Sequence, residues 1–202
     1  MHEKDTYKTI ESPSEEVLFK EKNSKFFGYC FPVQSEEQVK EILEKVKKEH
    51  YSARHWCYAF QIGTEQIHYR ANDDGEPSGS AGLPIYGQIQ SFEVTNILVV
   101  VVRYFGGVKL GVGGLVSAYK ETAKMALENS EIVEKTIDIR YRITFGYKDM
   151  NRVMRVIKEK NVNVIGQKLE MDCQIEISVR KKDAPMIFSI FEAMYEVSIT
   201  EY

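Results

Sequence analysis

The stretch from Asn96 to Asn129 constrains this chain most, because an apolar run, a glycine cluster and an amphipathic segment follow one another without interruption. The run Ile97–Val102 contains only β-branched residues and leucine and is too short to span a membrane. It therefore predicts a strand that is buried on both faces. Five glycines follow, which permit positive φ angles and close approach of the backbone. These glycines are Gly106, Gly107, Gly111, Gly113 and Gly114.

A helix is predicted directly after the glycines. Its apolar stripe consists of Leu115, Ala118, Tyr119, Thr122, Met125 and Ala126, which recur at helical spacing. The free N–H groups at the start of such a helix point back toward the glycine loop, where an anion could bind. Two roles remain open for the loop, which either binds a ligand or only turns the chain and lets the helix pack closely.

Composition limits the classes of function. The chain has 202 residues, 43% of them hydrophobic, which suits one large or two small domains. Its formal charge of -3 gives no general basic field, so a nucleic-acid surface would have to be a local patch. Three widely spaced cysteines in apolar segments, with no export or membrane signal, indicate a cytoplasmic protein without a membrane partner.

The remaining pattern predicts an α+β protein of two domains, residues 1–134 and 135–202. In the first domain Ser35 and Gln38 form a capping box at the start of a helix, and short strands surround it. After Glu134 the alternation of apolar and polar residues predicts the order β-α-β-β-α-β, the split ferredoxin-like arrangement.

Two details of the second domain are predicted from the same alternation. Gly166 is expected to form a turn, and a long strand is expected from Leu169 to Val179. The outward face of the sheet is expected to carry mixed charge and no stacking ring, which favours a solvated surface over base recognition. The residues expected there are Asp138, Arg140, Arg142, Gln174, Glu176 and Arg180.

The cationic residues at the ends of predicted elements suggest a cleft. Arg54, Arg70, Arg103 and Lys109 could neutralise several phosphates if the fold brings them together beside the glycine loop, with His55 as a neighbour. If the fold scatters them, they are ordinary surface charges. In the cleft interpretation, Arg103→Ala and Lys109→Ala are expected to fold normally and to bind more weakly.

Known phosphate-binding motifs do not fit the glycine loop. A Walker A loop requires Ser or Thr after Gly-Lys, but Leu110 follows Lys109, and the dinucleotide pattern fails at Val116. The segment RYFGGVKL, Arg103 to Leu110, matches four of the seven specified positions of an RNA-recognition signature. That signature belongs on a central strand, whereas here the residues leave a strand and enter a turn.

The segment NDDGEPSGSAG, from Asn72 to Gly82, is a possible ligand loop. Its candidate residues are Asp73, Asp74, Glu76, Ser78 and Ser80. Clustered carboxylates suit a divalent cation, but a turn held by aspartate side chains explains them better. Ser80 lacks the preceding strand that a nucleophile elbow requires, and the histidines show no partner spacing. We therefore predict no catalytic residue, no metal site and no cofactor.

The segment NDDGEPSGSAGLPI followed by NILVVVVRYFGGVKLGVGGLVSAYKETA resembles the signature of the IMPACT family in its bacterial, YigZ-like form. The resemblance implies an N-terminal α/β sandwich like the second domain of ribosomal protein S-five. It also implies a C-terminal domain like the last, ferredoxin-like domain of elongation factor G. Both are similar to modules that touch RNA or the ribosome. Eukaryotic relatives regulate translation by binding a protein scaffold and restraining an amino-acid-starvation kinase.

Three functions are compatible with these observations. The first is a non-enzymatic regulator of translation that binds RNA or ribosomal components through a glycine-rich cationic cleft. The second is an enzyme that acts on a small phosphorylated or carboxylated metabolite. The third is a protein-binding adaptor in translational stress control. The sequence names neither the partner, nor an RNA sequence preference, nor the oligomeric state.

Overall fold

The computed structural model describes residues 5–202, which form two compact units of an α+β protein. One unit is Tyr7–Lys135, and the other contains residues 136–202 together with residues 5 and 6. The α+β class is thus as predicted. The predicted division between residues 134 and 135 falls inside a strand, Ile132–Thr136, and residues 1–4 of the predicted first domain lie outside the described part.

Ten elements lie within residues 5–136. They are β1 (Thr6–Ile10), β2 (Val17–Glu21), β3 (Ser24–Pro32), α1 (Glu36–Glu49), β4 (His55–Ile62), β5 (His68–Asn72), α2 (Gly82–Ser91), β6 (Ile97–Tyr104), α3 (Gly111–Glu128) and β7 (Ile132–Thr136). After them come β8 (Asp138–Gly146), a 3₁₀ turn (Tyr147–Asp149), α4 (Met150–Glu159), β9 (Asn163–Lys168), β10 (Asp172–Arg180), α5 (Ala184–Glu192) and β11 (Val197–Glu201). Strands β1 and β7 pair in a two-stranded sheet.

A five-stranded antiparallel sheet is the centre of the first unit, in the order β2-β3-β6-β4-β5. Helix α1 covers one face, and α2 and α3 cover the other. Strand β6 lies in the middle, so its alternate side chains enter two cores: Val99 and Val101 join the α2/α3 side, and Leu98 and Val100 join the α1 side. The predicted burial of this strand on both faces is confirmed, since residues 97–102 are all fully buried.

The start of α1 also follows the sequence prediction. Ser35 is the N-cap residue, and its hydroxyl accepts a hydrogen bond from the N–H of Gln38 at 3.4 Å. The side chain of Gln38 accepts one from the N–H of Gln34 at 2.7 Å. These bonds satisfy donors that would otherwise be free at the start of the helix.

The connection from β6 to α3 is shaped by close backbone packing. A Cβ atom on Gly106 would lie 2.1 Å from the carbonyl carbon of Asn23, in the turn between β2 and β3. Gly107 and Gly111 have φ angles of +86° and +73°, a region that other residues rarely adopt. These three glycines therefore fix where α3 begins relative to β6.

The second unit has a four-stranded antiparallel sheet in the order β11-β8-β10-β9, with α4 and α5 packed into the same core. Its element order is β-α-β-β-α-β, as predicted.

The turn predicted at Gly166 is wrong, because β9 continues to Lys168 and Gly166 pairs with Glu176 at a β-bulge. A Cβ there would lie 2.9 Å from a carboxylate oxygen of Glu176, the flexible end of that side chain, and the next atoms would be at 3.6 Å, so packing alone does not require glycine at this bulge. Likewise, the long strand begins at Asp172 rather than Leu169, and Met171 is 90% exposed.

The outward face of this sheet differs in one respect from the expectation. Mixed charge is present, since Arg142 donates to Glu176 at 2.8 Å and this hydrogen bond lowers the pKa of the Glu176 carboxyl. However, the ring of Tyr202 lies 4.7 Å from the guanidinium of Arg142. The expected absence of an aromatic ring is therefore wrong, because the residue after β11 continues the outward alternation of that strand.

Two further sequence expectations concern cysteines and membrane helices. The cysteines Cys30, Cys57 and Cys173 are free and buried, as predicted, and burial raises the pKa of the Cys30 thiol to about 12. Within residues 5–202, every helix is too short or too polar to cross a membrane.

Truncation of the central strand tests this architecture. Leu98→Ala should lower the free energy of unfolding by about 2–5 kcal/mol, because it removes most of a fully buried side chain and leaves a cavity that the surrounding core fills only in part. Leu83→Ala, at a position that is 59% exposed, is the matched control and should change stability by less than about 0.5 kcal/mol. Urea unfolding would measure both, and equal effects would contradict the assigned burial of β6.

Candidate functional site

A cavity of about 440 Å³ opens beside the start of α3, and we call it the α3 cavity. Its volume lies in the range of ordinary ligand pockets. Segments from β4, the β5–α2 loop, β6 and α3 contribute to it. The lining residues are Arg54, His55, Glu76, Pro77, Arg103, Phe105, Lys109, Leu110, Gly111, Val112 and Leu115.

The N-terminus of α3 borders this cavity, and its N-cap residue provides no capping side chain. Leu110 occupies the N-cap position and makes no capping hydrogen bond, and the first turn contains no acidic residue. The first N–H groups of a helix have no partner within the helix, and the helix dipole adds partial positive charge there. Since Gly111 and Val112 line the cavity, this electropositive end is available to a bound anion.

Helix α2 shows the opposite arrangement. The carboxylate of Asp73 accepts hydrogen bonds from the N–H groups of Ala81 at 3.0 Å and Gly82 at 2.8 Å, where the helix begins. It also accepts one from the N–H of Gly79 at 2.8 Å. The anion position at this helix is therefore occupied by the protein's own side chain.

A buried ion pair forms the floor of the site. Arg103 Nη1 lies 2.7 Å from Glu76 Oε1, and the two side chains are only 6% and 4% exposed. The hydroxyl of Tyr119 donates to the same oxygen at 2.8 Å, and Arg103 Nη2 lies 3.4 Å from Ser24 Oγ. Arg103 Nε is buried and has no hydrogen-bond partner among the described residues. The guanidinium charge is thus paired with Glu76, but the Nε–H group has no partner among the described residues.

Tyr119 is held in its protonated form. Burial raises the pKa of its hydroxyl well above the ordinary value, and Cys57 and Glu76 raise it further. Tyr119 therefore donates a hydrogen bond to Glu76 and does not act as a base at neutral pH.

The sheet register explains why these groups meet. Arg103 on β6 is paired with Phe26 on β3 and with His55 on β4, so all three side chains lie in one row on the α2/α3 face. His55 Nδ1 lies 2.9 Å from the carbonyl oxygen of Asp74. Because a carbonyl oxygen only accepts, Nδ1 carries a proton, and Nε2 is the acceptor in the neutral ring.

Three of the four predicted cations come together at the α3 cavity. Arg54, Arg103 and Lys109 line it, and neither Arg54 nor Lys109 forms a salt bridge with a described residue. Arg70 does not join them, because its side chain extends from β5 to Glu36, the first residue of α1, at 3.3 Å. The exposed positive charge of the cavity thus comes from Arg54 and Lys109.

The predicted glycines divide in a similar way. Gly111 lines the cavity, while Gly106 packs against the β2–β3 turn and Gly107 provides the reversal of the chain. Gly113 and Gly114 belong to the first turn of α3. A Cβ on Gly113 would meet no atom within 4 Å, so this position has no packing requirement.

The predicted ligand loop is mostly a structural turn. Asp74 accepts a hydrogen bond from the N–H of Trp56 at 2.8 Å, and Asp73 holds the start of α2. Ser80 is fully buried and donates to the carbonyl of Pro77, which is unsuitable for a nucleophile, and Ser78 is exposed and does not line the cavity. Among these five residues, Glu76 lines the cavity. In the described part of the chain, no three His, Cys, Asp or Glu side chains are grouped to hold a metal.

Sequence reasoning missed the contributions of Phe105 and Tyr119. Tyr119 was predicted as part of an apolar stripe, which its burial supports, but its hydrogen bond to Glu76 depends on a loop 43 residues away. Phe105 is 49% exposed at the end of β6. Its position between the strand and the glycines of RYFGGVKL was the available signal.

Comparison with known proteins defines the family. Residues 22–127 match the family described as the Impact N-terminal domain, which is more than half of the chain. A Haemophilus influenzae protein called IMPACT family member is 33% identical over 177 residues, which cover 84% of each chain. This chain belongs to the IMPACT family. Bacillus subtilis YvyE, an IMPACT family member, is 38% identical over 132 residues, or 65% of this chain, and the match spans 60% of YvyE.

A solved structure extends the likeness over the whole IMPACT-family chain. The crystal structure of a hypothetical protein superposes with a TM-score of 0.73 at 25% identity and covers 98% of each chain. This match supports the fold of the chain.

The buried pair is tested by a double-mutant cycle in this IMPACT-family protein. Arg103→Ala should lower the free energy of unfolding by about 3–5 kcal/mol, because Glu76 would keep a buried charge without a partner. The earlier expectation that Arg103→Ala folds normally conflicts with this burial. For the cycle, the double variant Arg103→Met with Glu76→Gln should lose less stability than the sum of the losses in the single variants Arg103→Met and Glu76→Gln, as urea unfolding would show. Additive losses would mean that the pair is not coupled.

Replacement of Asp73 tests its capping role. Asp73→Ala should lower the free energy of unfolding by about 1–3 kcal/mol, because the N–H groups of Ala81 and Gly82 at the start of α2, and that of Gly79 in the preceding loop, lose their acceptor. Ser78→Ala, at an exposed position of the same loop, should be nearly neutral. Thermal unfolding would separate the two, and a neutral Asp73→Ala would show that the carboxylate is free for another role.

Proposed function

We propose that this IMPACT-family protein is a non-enzymatic regulatory protein associated with translation, which binds RNA or ribosomal components through the α3 cavity. The observation that carries the proposal is the N-terminus of α3, whose N-cap residue makes no capping hydrogen bond. It shares one cavity with Arg54 and Lys109, two cations that form no salt bridge with a described residue. Phosphate groups are the anions that RNA presents, and helix N–H groups with nearby Lys and Arg are their usual protein partners.

The family supports the translational part of this proposal. The resemblance described above implies that both halves are similar to modules that touch RNA or the ribosome, and that eukaryotic relatives regulate translation. We accordingly propose the second domain of ribosomal protein S-five as the fold of the first unit. For the second we propose the ferredoxin-like last domain of elongation factor G. Three free, buried cysteines fit a reducing compartment, and we propose the cytoplasm.

Salt dependence tests phosphate contact. Binding to single-stranded RNA, or co-sedimentation with ribosomes, should weaken roughly tenfold or more between about 50 mM and about 200 mM salt. The reason is that the protein's Lys and Arg side chains release the counterions that surround the RNA phosphates, and this release is less favourable at high salt. The double variant Arg54→Ala with Lys109→Ala should bind more weakly and with a shallower salt dependence. Filter binding at several salt concentrations would measure the slope.

A matched control distinguishes binding at the α3 cavity from attraction to positive charge elsewhere on the surface. Lys120→Ala removes an exposed cation from α3 that does not line the cavity, so its affinity and salt slope should equal those of the unaltered protein. Equal losses for Lys120→Ala and Lys109→Ala would locate binding outside the cavity. Binding that does not respond to salt would exclude phosphate contact altogether.

One observation favours the enzyme as a second candidate function. His55 lines the cavity, and its hydrogen bond to the carbonyl of Asp74 leaves Nε2 as the basic nitrogen of the neutral ring. A base next to an anion-binding helix end suits a small phosphorylated or carboxylated substrate. Thermal shift with a panel of such metabolites would decide, since a ligand that binds the folded state raises its apparent stability. A metabolite that stabilises the protein, with no response to RNA, would favour the enzyme over the RNA-binding regulator.

A further inference from the structure

The lining of the α3 cavity is more apolar than phosphate binding requires. Besides its cations, the cavity is lined by apolar side chains, which are Pro77, Phe105, Leu110, Val112 and Leu115. Phe105 and Val112 are 49% and 57% exposed. A phosphate group, or the backbone of a duplex, would contact the cations and helix N–H groups and leave these surfaces in water. The ligand that fits the whole lining has an anionic part and a flat apolar part.

The ring of Phe105 is positioned by its neighbours. The guanidinium of Arg103 lies 5.4 Å from the centroid of this ring and 5.5 Å from that of Phe26. Arg103 is itself fixed by Glu76. The Phe105 ring therefore packs against the fixed guanidinium of Arg103, while about half of the residue remains exposed at the cavity. Little side-chain freedom is lost when a second flat group packs against such a ring.

We propose that the α3 cavity binds one unpaired nucleotide of a single-stranded RNA, with the base against Phe105 and Val112 and the phosphate at Lys109 and the α3 N-terminus. This inference rests on the proposed function and names the form of RNA that the site accepts. Unpaired bases stack on aromatic side chains in many RNA-binding proteins, whereas the bases of a duplex are covered by their neighbours. The cavity volume of about 440 Å³ fits one nucleotide.

The geometry also bears on selectivity. Stacking on a ring tolerates every base, since each has a flat face. The polar residues of the described lining are Arg54, His55, Glu76, Arg103 and Lys109, but Glu76 and Arg103 are paired with each other, and Arg54 and Lys109 carry the charge for phosphate. The site therefore distinguishes unpaired from paired RNA more strongly than one base sequence from another.

Three ligands separate the contributions of base and phosphate. They are a short single-stranded RNA, the duplex of the same sequence, and inorganic polyphosphate with the same number of phosphates, which has no bases. Single-stranded RNA should bind roughly tenfold or more tightly than either of the others, as expected for stacking of a base. Equal affinity for all three would overturn the inference and leave the proposed anion binding intact. No binding of any ligand would overturn both.

Substitutions of Phe105 assign the stacking to this ring. Phe105→Leu should reduce the affinity for single-stranded RNA to that of polyphosphate for the unaltered protein, and Phe105→Tyr, which keeps the ring, should retain the RNA affinity. Val108→Ala is the matched control, because Val108 is an exposed apolar residue of the same loop that does not line the cavity. Circular dichroism and thermal unfolding would confirm that each variant folds. Unchanged RNA binding by a folded Phe105→Leu would overturn the inference.

Discussion

The buried ion pair between Arg103 and Glu76 determines the form of the candidate site. It joins the end of the central strand to the loop before α2, and Tyr119 connects it to α3. Charges of this kind are stable inside a protein only when they are paired and hydrogen-bonded. Since Glu76 satisfies this requirement for Arg103, the loop must follow the strand closely, and the cavity keeps a defined floor.

The two glycine-containing loops use the same backbone chemistry for different purposes. Both lead into a helix whose first N–H groups need acceptors. At α2 the acceptor is Asp73, which makes the loop part of the permanent structure. At α3 the N-cap residue Leu110 makes no capping hydrogen bond, and Arg54 and Lys109 line the same cavity. The difference between the two helix ends is therefore the reason that the proposed anion site is at α3 and not at α2.

The apolar residues beside that helix end would give the proposed site its chemical selectivity. Cations alone would attract any polyanion, and their effect would be reduced by salt. Phe105 adds a contact that requires a flat group and depends little on ionic strength. The combination of a fixed ring with an uncapped helix end suits a ligand that carries both properties on adjacent atoms, as a nucleotide does.

The sequence by itself determined the elements that depend on neighbouring residues. The apolar run of β6, the spacing of α3, the Ser35 cap and the β-α-β-β-α-β order of the second unit were all predicted, because side-chain period and capping act over a few residues. The signature segment also identified the family. Only the tertiary structure decided that Arg103 pairs with Glu76, that Arg70 reaches Glu36 while Arg54 and Lys109 line the cavity, and that Gly166 belongs to a strand. These outcomes depend on strand order and register between distant segments, which local patterns do not encode.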